Sequence, residues 1–260
     1  IKRHGIKLIH ELPGVGKNLQ DHIDFNFCFK TNDKNTLGFS PGGFLKILGE
    51  MAKWLTHGNS MISSTLSEAG GFLKTDQSLD RPDIQHHFVI GLIDDHLRKL
   101  HYGYGYSCHV CLLRPYSRGT VSLASAKHDD APLINPNFLN DSRDLETLIK
   151  GAKMTQNILN TPPLKKYQKR EIYGVHSNLT DKEWEQHIRN RADTIYHPVG
   201  TCKMGKDPLA VVNSSLKIRG LKNIRVADAS IMPTITSGNT NAPTIMIGEK
   251  CATMIMDVHE

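Results

Sequence analysis

Apolar side chains recur at helical spacing from Phe44 to Leu55, where Phe44, Leu48, Met51 and Leu55 fall on one face, and Gly58 is placed to stop the helix. Upstream, Leu12-Pro13-Gly14-Val15-Gly16 sets two glycines and a proline together, which predicts a tight loop. Strand-like runs follow at Ala69 to Lys74, Ile84 to Gly91, Tyr104 to Leu113 and Thr120 to Ala124, separated by Pro, Gly and Asp; this predicts an antiparallel sheet. The second half turns helical. Leu145, Leu148, Ile149, Ala152 and Leu159 line one face of a helix with Asp141 or Ser142 as its N-cap. Thr180 and Glu183 form a capping box ahead of a stripe of Trp184, His187 and Ile188. A short strand is expected at Asn223 to Ala227, and a last helix from about Pro243 to Met256. Strands followed by helices indicate an α+β fold.

The chain has 260 residues, 38% of them hydrophobic and 22% charged. That composition excludes a disordered chain, a collagen and a coiled coil. No window reaches the ~18 uninterrupted apolar residues of a membrane span. The formal net charge of +6 is mildly basic, but no run is dense enough for a nucleic-acid arm. The tightest cluster, Lys165, Lys166, Lys169 and Arg170, reads as a solvated face. Five cysteines are too few for a disulfide framework. Cys108 and Cys111 form a CxxC, but residues three apart on a strand point to opposite faces. Burial as small apolar residues is expected, and no metal site.

His197 stands out among 14 histidines because of its neighbours, Tyr196-His197-Pro198-Val199-Gly200-Thr201-Cys202. Pro198 forces an extended turn and Gly200 permits a close backbone approach. A His held on such a turn suits a general base. Ile224 to Ser230 is an apolar run ending in an acid and small residues, able to offer a carboxylate and backbone amides to a polar ligand. Thr236 to Thr244 opens the last helix with small polar residues. Its unpaired amides and positive dipole end favour an electron-rich group, and capping by Asn241 or Ala242 is compatible with that.

The runs "YHPVGTCKMG", "IRVADASIMP" and "TSGNTNAPTIMIGEK", with "LPGVGKNLQDH" near the start, resemble the glucose–methanol–choline (GMC) flavin oxidoreductases, and most of all their arthropod glucose dehydrogenase-like members. The resemblance implies an FAD cofactor, an alcohol or sugar CH–OH substrate, hydride transfer to flavin N5, and a quinone or oxygen as electron acceptor. It implies that His197 takes the substrate hydroxyl proton and that Asn239 closes the catalytic pair. Asp228 and Ala229 correspond to contacts with the flavin's phosphate and ribityl portion. Asn241, Ala242 and Pro243 correspond to the segment beside the pyrimidine end of the ring. Asn18 to His22 correspond to a loop near the segment covering the cofactor.

A dinucleotide-binding turn GxGxxG is missing: the run from Gly14 has Leu19 at the third glycine position, and the run from Gly103 has Cys108. With Ile1 rather than Met in first place, the chain is expected to be the C-terminal portion of a longer enzyme, weak in FAD binding by itself. Residues 1–25 would be the tail of an N-terminal FAD-binding section, 26–195 mainly a substrate-binding domain, and 196–260 the return to the FAD domain. The alternative is a truncated, non-catalytic substrate-binding protein that has lost FAD. Secretion is expected from the arthropod resemblance alone.

Overall fold

The computed structural model describes residues 1–67 and 69–257. In chain order its strands and helices are β1 (Ile23–Thr31), β2 (Gly38–Phe39), α1 (Pro41–His57), β3 (Ala69–Leu73), β4 (Ile84–Val89), β5 (Gly103–Leu112), β6 (Thr120–Ser122), β7 (Leu133–Asn135), α2 (Ser142–Leu159), α3 (Pro162–Lys165), β8 (Arg170–Glu171), α4 (Asp181–Arg191), β9 (Asp193–Thr194) and α5 (Asn241–Met256). The chain divides into two compact units. One, the sheet unit, holds Ile23–Leu112 and Leu145–Asp193; the other, the loop unit, holds Ile1–His22, Leu113–Asp144 and Thr194–Glu260. Residues 113–144, within the expected 26–195 section, cluster with the chain's two ends. The last three residues of the 196–260 segment lie outside the described residues.

The sheet unit is built on an antiparallel sheet in the order β3-β4-β5-β1-β8, with β2 also pairing β5. Strand β1, which pairs with the central β5, was not among the predicted strands, although Ile23, Phe25, Phe27 and Phe29 are spaced two apart as a half-buried strand requires. Those apolar side chains are buried, and Phe25 and Phe27 meet Trp184 of α4 edge-on. Helix α2 buries Leu145, Leu148, Ala152 and Leu159. Gly151 lets it close on the sheet: a Cβ there would sit 3.1 Å from Ile84 Cγ2. The capping box of Thr180 and Glu183 forms as expected, with both reciprocal bonds present. The other face of the sheet is polar, carrying Asp24, Asn26, His109, His87 and Gln85. Cys108 and Cys111 lie on opposite faces of β5, and burial pushes the Cys108 thiol up to about 12. Among the described residues no group of His, Cys, Asp and Glu could hold a metal.

Helix α1 begins three residues before Phe44, capped by Ser40 Oγ on the Gly43 amide, and stops at Gly58 in the left-handed region. Its apolar residues face solvent rather than a core. No described helix is long and apolar enough to cross a membrane.

The loop unit has little regular structure. Its core is Val199, Val211, Val212, Leu216, Ile231, Met232, Ile235, Ile247 and Cys251. The expected strand at Asn223 to Ala227 is not formed. Asn223 is left-handed, and the segment makes one isolated bridge, Lys217 to Arg225, inside an irregular turn. The last helix starts at Asn241, so Pro243 sits within the first turn, where an amide would be unpaired in any case. Its N-cap is Thr240, with no side-chain bond, rather than Asn241 or Ala242.

Candidate active site

The segment Asn18 to His22 organises the two loops that carry the candidate catalytic residues. Gln20 and Val199 exchange backbone hydrogen bonds of 3.0 and 2.8 Å. The Asp21 carboxylate accepts from the His197 amide at 2.8 Å and from the Thr194 hydroxyl. The Ile195 amide donates to the His22 carbonyl at 3.1 Å. Tyr196, left-handed at φ 63°, turns the chain just before His197. The close approach that Gly200 permits is to the backbone of Asn18, since a Cβ at Gly200 would lie 2.4 Å from Asn18 O. The same segment reaches the second loop. Asn18 and Gln20 side chains donate to the Pro233 carbonyl, and Gln20 Oε1 accepts from the Ile235 amide. Arg114 donates to Ser237 Oγ at 2.9 Å, two residues ahead of Asn239.

These clamps bring His197 and Asn239 together: Asn239 Nδ2 lies 3.3 Å from His197 Nε2. Behind His197 lies His22, fully buried, with Nδ1 2.9 Å from His197 Nδ1 and the two rings edge to face. His22 Nε2 is 3.0 Å from the Leu113 carbonyl. A carbonyl oxygen accepts only, so His22 Nε2 carries the hydrogen. Burial favours an uncharged ring, and a neutral His22 then presents an unprotonated Nδ1. His197 Nδ1 must therefore be the donor between the two rings. His197 is left with an unprotonated Nε2, directed to the Asn239 amide.

The remaining candidates line up beside this pair. Asp228 Oδ1 accepts from the Ser230 amide at 2.8 Å and opens the short turn Ala229–Ile231. That turn runs along the His197 loop: the Gly200, Cys202 and Met204 amides donate to the carbonyls of Ala229, Ser230 and Ile231. Asn241, Ala242 and Pro243 form the first turn of α5, which has no acidic residue and no side-chain cap. An uncapped, positively polarised helix start of small residues fits an electron-rich ring edge.

His22, Gln20 and Asp21 hold the site, yet their bonds to His197 and to the Ile235 amide span 175 to 215 residues of sequence. The one sequence signal for them was the matching "NLQDH" run.

Residues 115–248, about half of the chain, match the family described as GMC oxidoreductase. The chain belongs to the GMC oxidoreductase family. It is 47% identical to an "Alcohol dehydrogenase [acceptor]" of Pseudomonas putida over 98% of its own length and 46% of that protein. It is 38% identical to the "Oxygen-dependent choline dehydrogenase" of Cronobacter sakazakii, over 97% of this chain and 45% of that protein. Its fold superimposes on a formate oxidase of Aspergillus oryzae RIB40 with a TM-score of 0.90 and 27% identity, covering 99% of this chain and 50% of the oxidase. The chain thus spans about half the length of the proteins it matches.

Proposed function

We propose that the protein is an FAD-dependent oxidoreductase acting on the CH–OH group of an alcohol, with His197 as the base. One observation carries this reading: Leu113 O, His22 and His197 form a hydrogen-bond series that ends at His197 Nε2, 3.3 Å from the Asn239 amide. FAD, held in part by Asp228, Ala229 and the first turn of α5 at Asn241, Ala242 and Pro243, supplies the hydride acceptor. The chain's own residues do the proton work. The substrate hydroxyl donates to His197 Nε2, which takes its proton as the C–H bond breaks. The Asn239 amide, 3.3 Å from Nε2 before substrate binds, yields that position to the substrate hydroxyl and donates to the substrate oxygen as negative charge develops there. The imidazolium formed at His197 keeps its Nδ1–H bond to His22, which disperses the charge. Residues 196–260 serve the FAD side and 26–195 mainly the substrate.

The greater identity to the alcohol dehydrogenase favours a simple alcohol over choline as the substrate, and the electron acceptor is a quinone or oxygen. The test uses the full-length polypeptide with FAD bound, mixed anaerobically with a primary alkanol, choline or glucose. Bleaching of the flavin by the alkanol is expected, and a His197→Ala variant should retain FAD but bleach at least about a hundredfold more slowly. Unchanged bleaching would remove His197 as the base. The rates of reoxidation of the reduced protein by a soluble quinone and by oxygen then decide between the two acceptors.

A further inference from the structure

Within the loop unit, residues 113–119 are braced by several contacts. The Asp144 carboxylate takes the amides of Tyr116 and Ser117 at 2.7 and 2.8 Å, and Arg118 Nη1 donates to the carbonyls of Pro115 and Ser117 at 2.7 and 3.0 Å. Gly119 and Leu19 exchange backbone hydrogen bonds of 2.8 and 3.1 Å. A Cβ at Gly119 would lie 2.2 Å from Asn135 O, so backbone packs directly against this end of the segment. Two adjacent residues of the braced segment reach the catalytic pair through different partners. Leu113 is fully buried, and its carbonyl bonds to His22 Nε2, behind His197. Arg114 Nη1 donates to Ser237 Oγ, in the loop that carries Asn239.

That loop needs the second hold. Gln20 fixes it at the Ile235 amide, and α5 begins at Asn241. Between these points Thr236 Oγ1 is buried with no partner among the described residues. Gly238 lies at φ 98°, in the region that favours glycine, and its missing Cβ leaves the backbone next to Asn239 free to turn. The placement of Asn239 therefore leans on the bond made one residue further back, at Ser237. A guanidinium directs its N–H groups in a rigid plane, so it restrains Ser237 better than a flexible ammonium would. Precision matters here, because a donor to a developing oxyanion works over a range of about 2.7–3.1 Å.

We propose that Arg114 is a positioning residue for the reaction: through Ser237 it holds Asn239 where its amide can reach the substrate oxygen, so that residues 113 and 114 align both the base and the amide. The inference rests on the catalytic reading above. The test uses full-length FAD-bound protein mixed anaerobically with a primary alkanol. Arg114→Ala should slow the limiting rate of flavin reduction about tenfold, with the half-saturating alkanol concentration changed less than about twofold. Ser237→Ala, at an exposed position, should slow it severalfold and carries the test where Arg114→Ala loses FAD. Ser237→Thr, which keeps the hydroxyl, should retain most of the rate. In an Asn239→Ala background neither Arg114→Ala nor Ser237→Ala should slow reduction further, because the group they place is gone. A general loosening of the fold would slow both backgrounds alike. Wild-type rates in Arg114→Ala and Ser237→Ala overturn the proposal. So do losses of equal size with and without Asn239, or a Ser237→Thr variant as slow as Ser237→Ala. Should His197→Ala be slow while Arg114→Ala and Ser237→Ala are not, only this inference falls; a wild-type rate in His197→Ala removes the catalytic reading itself.

Discussion

The two compact units of this chain are stabilised by different means. The sheet unit rests on repetition: alternate residues of β1 and β5 and one stripe each of α2 and α4 are apolar, and together they make a dry interior around Phe25, Phe27, Val110, Leu148 and Trp184. The loop unit has a smaller apolar core and fixes its backbone with individual side chains. Asn18, Gln20, Asp21 and Asp144 each bind backbone groups of remote segments, Asp144 taking the amides of Tyr116 and Ser117 at 2.7 and 2.8 Å. Periodic burial gives stability that tolerates exchange of one apolar residue for another of like volume. Directed polar contacts give placement of single atoms, which is what a proton transfer needs. The contrast predicts that substitutions in the loop unit cost rate and those in the sheet unit cost stability.

The largest effect should come from His197→Ala, with flavin reduction slowed by about 10²–10⁴ and the thermal midpoint little changed. A fall in midpoint large enough to explain the lost rate would break the contrast. Next is Leu148→Ala. Leu148 is fully buried, so about 2–5 kcal/mol of stability should be lost in a denaturant titration, with the rate per folded molecule unchanged.

A smaller effect is expected from His22→Ala. The base stays, but the acceptor for its Nδ1–H is gone, so both tautomers of His197 become populated and part of the protein has the wrong one. Flavin reduction should slow by about 10- to 100-fold, with KM for the alcohol nearly constant. A rise in KM with no change in kcat would assign His22 to substrate binding.

The smallest effect concerns pH and the sheet unit. His86 is buried, and its ring donates to Thr155 Oγ1 at 2.8 Å, whose own hydrogen goes to the Gly151 carbonyl. Burial holds the His86 pKa below its ordinary value of 6.5. The unfolded chain therefore takes up this proton first as pH falls. The stabilisation is complete above the unfolded value and is lost as pH falls from 6.5 through the folded value. Thermal midpoints measured from about pH 7.5 down to about pH 5 should fall less steeply for His86→Gln, which keeps the donor to Thr155 but does not titrate. Identical slopes would place the acid sensitivity elsewhere.

Legibility in the sequence follows the same contrast. Helices α2 and α4 and strands β4 and β5 carry period and caps within a few residues, and the sequence shows them. Strand β1 has an equally clear alternation, Ile23 to Phe29, but no glycine or proline separates it from the loop segment Asn18 to His22 that precedes it. The strand expected near Asn223 failed because an apolar run has no regular partner there and Asn223 takes a left-handed turn. In the site, His197 and Asn239 were legible through their motifs, and Asn239 reaches His197 Nε2 in the structure. The part of His22 was not legible. It depends on which nitrogen of a ring 175 residues away carries a hydrogen, and the Leu113 carbonyl and the burial of that ring bear on this.

The tautomer of His197 tests this arrangement most directly. Nitrogen NMR of the FAD-bound, histidine-labelled protein, assigned by difference from His197→Gln, reports which ring nitrogen is protonated. Above the ring's titration the account predicts hydrogen on Nδ1 of His197 and none on Nε2. Hydrogen on Nε2 would contradict it, because the base would then face the substrate already occupied.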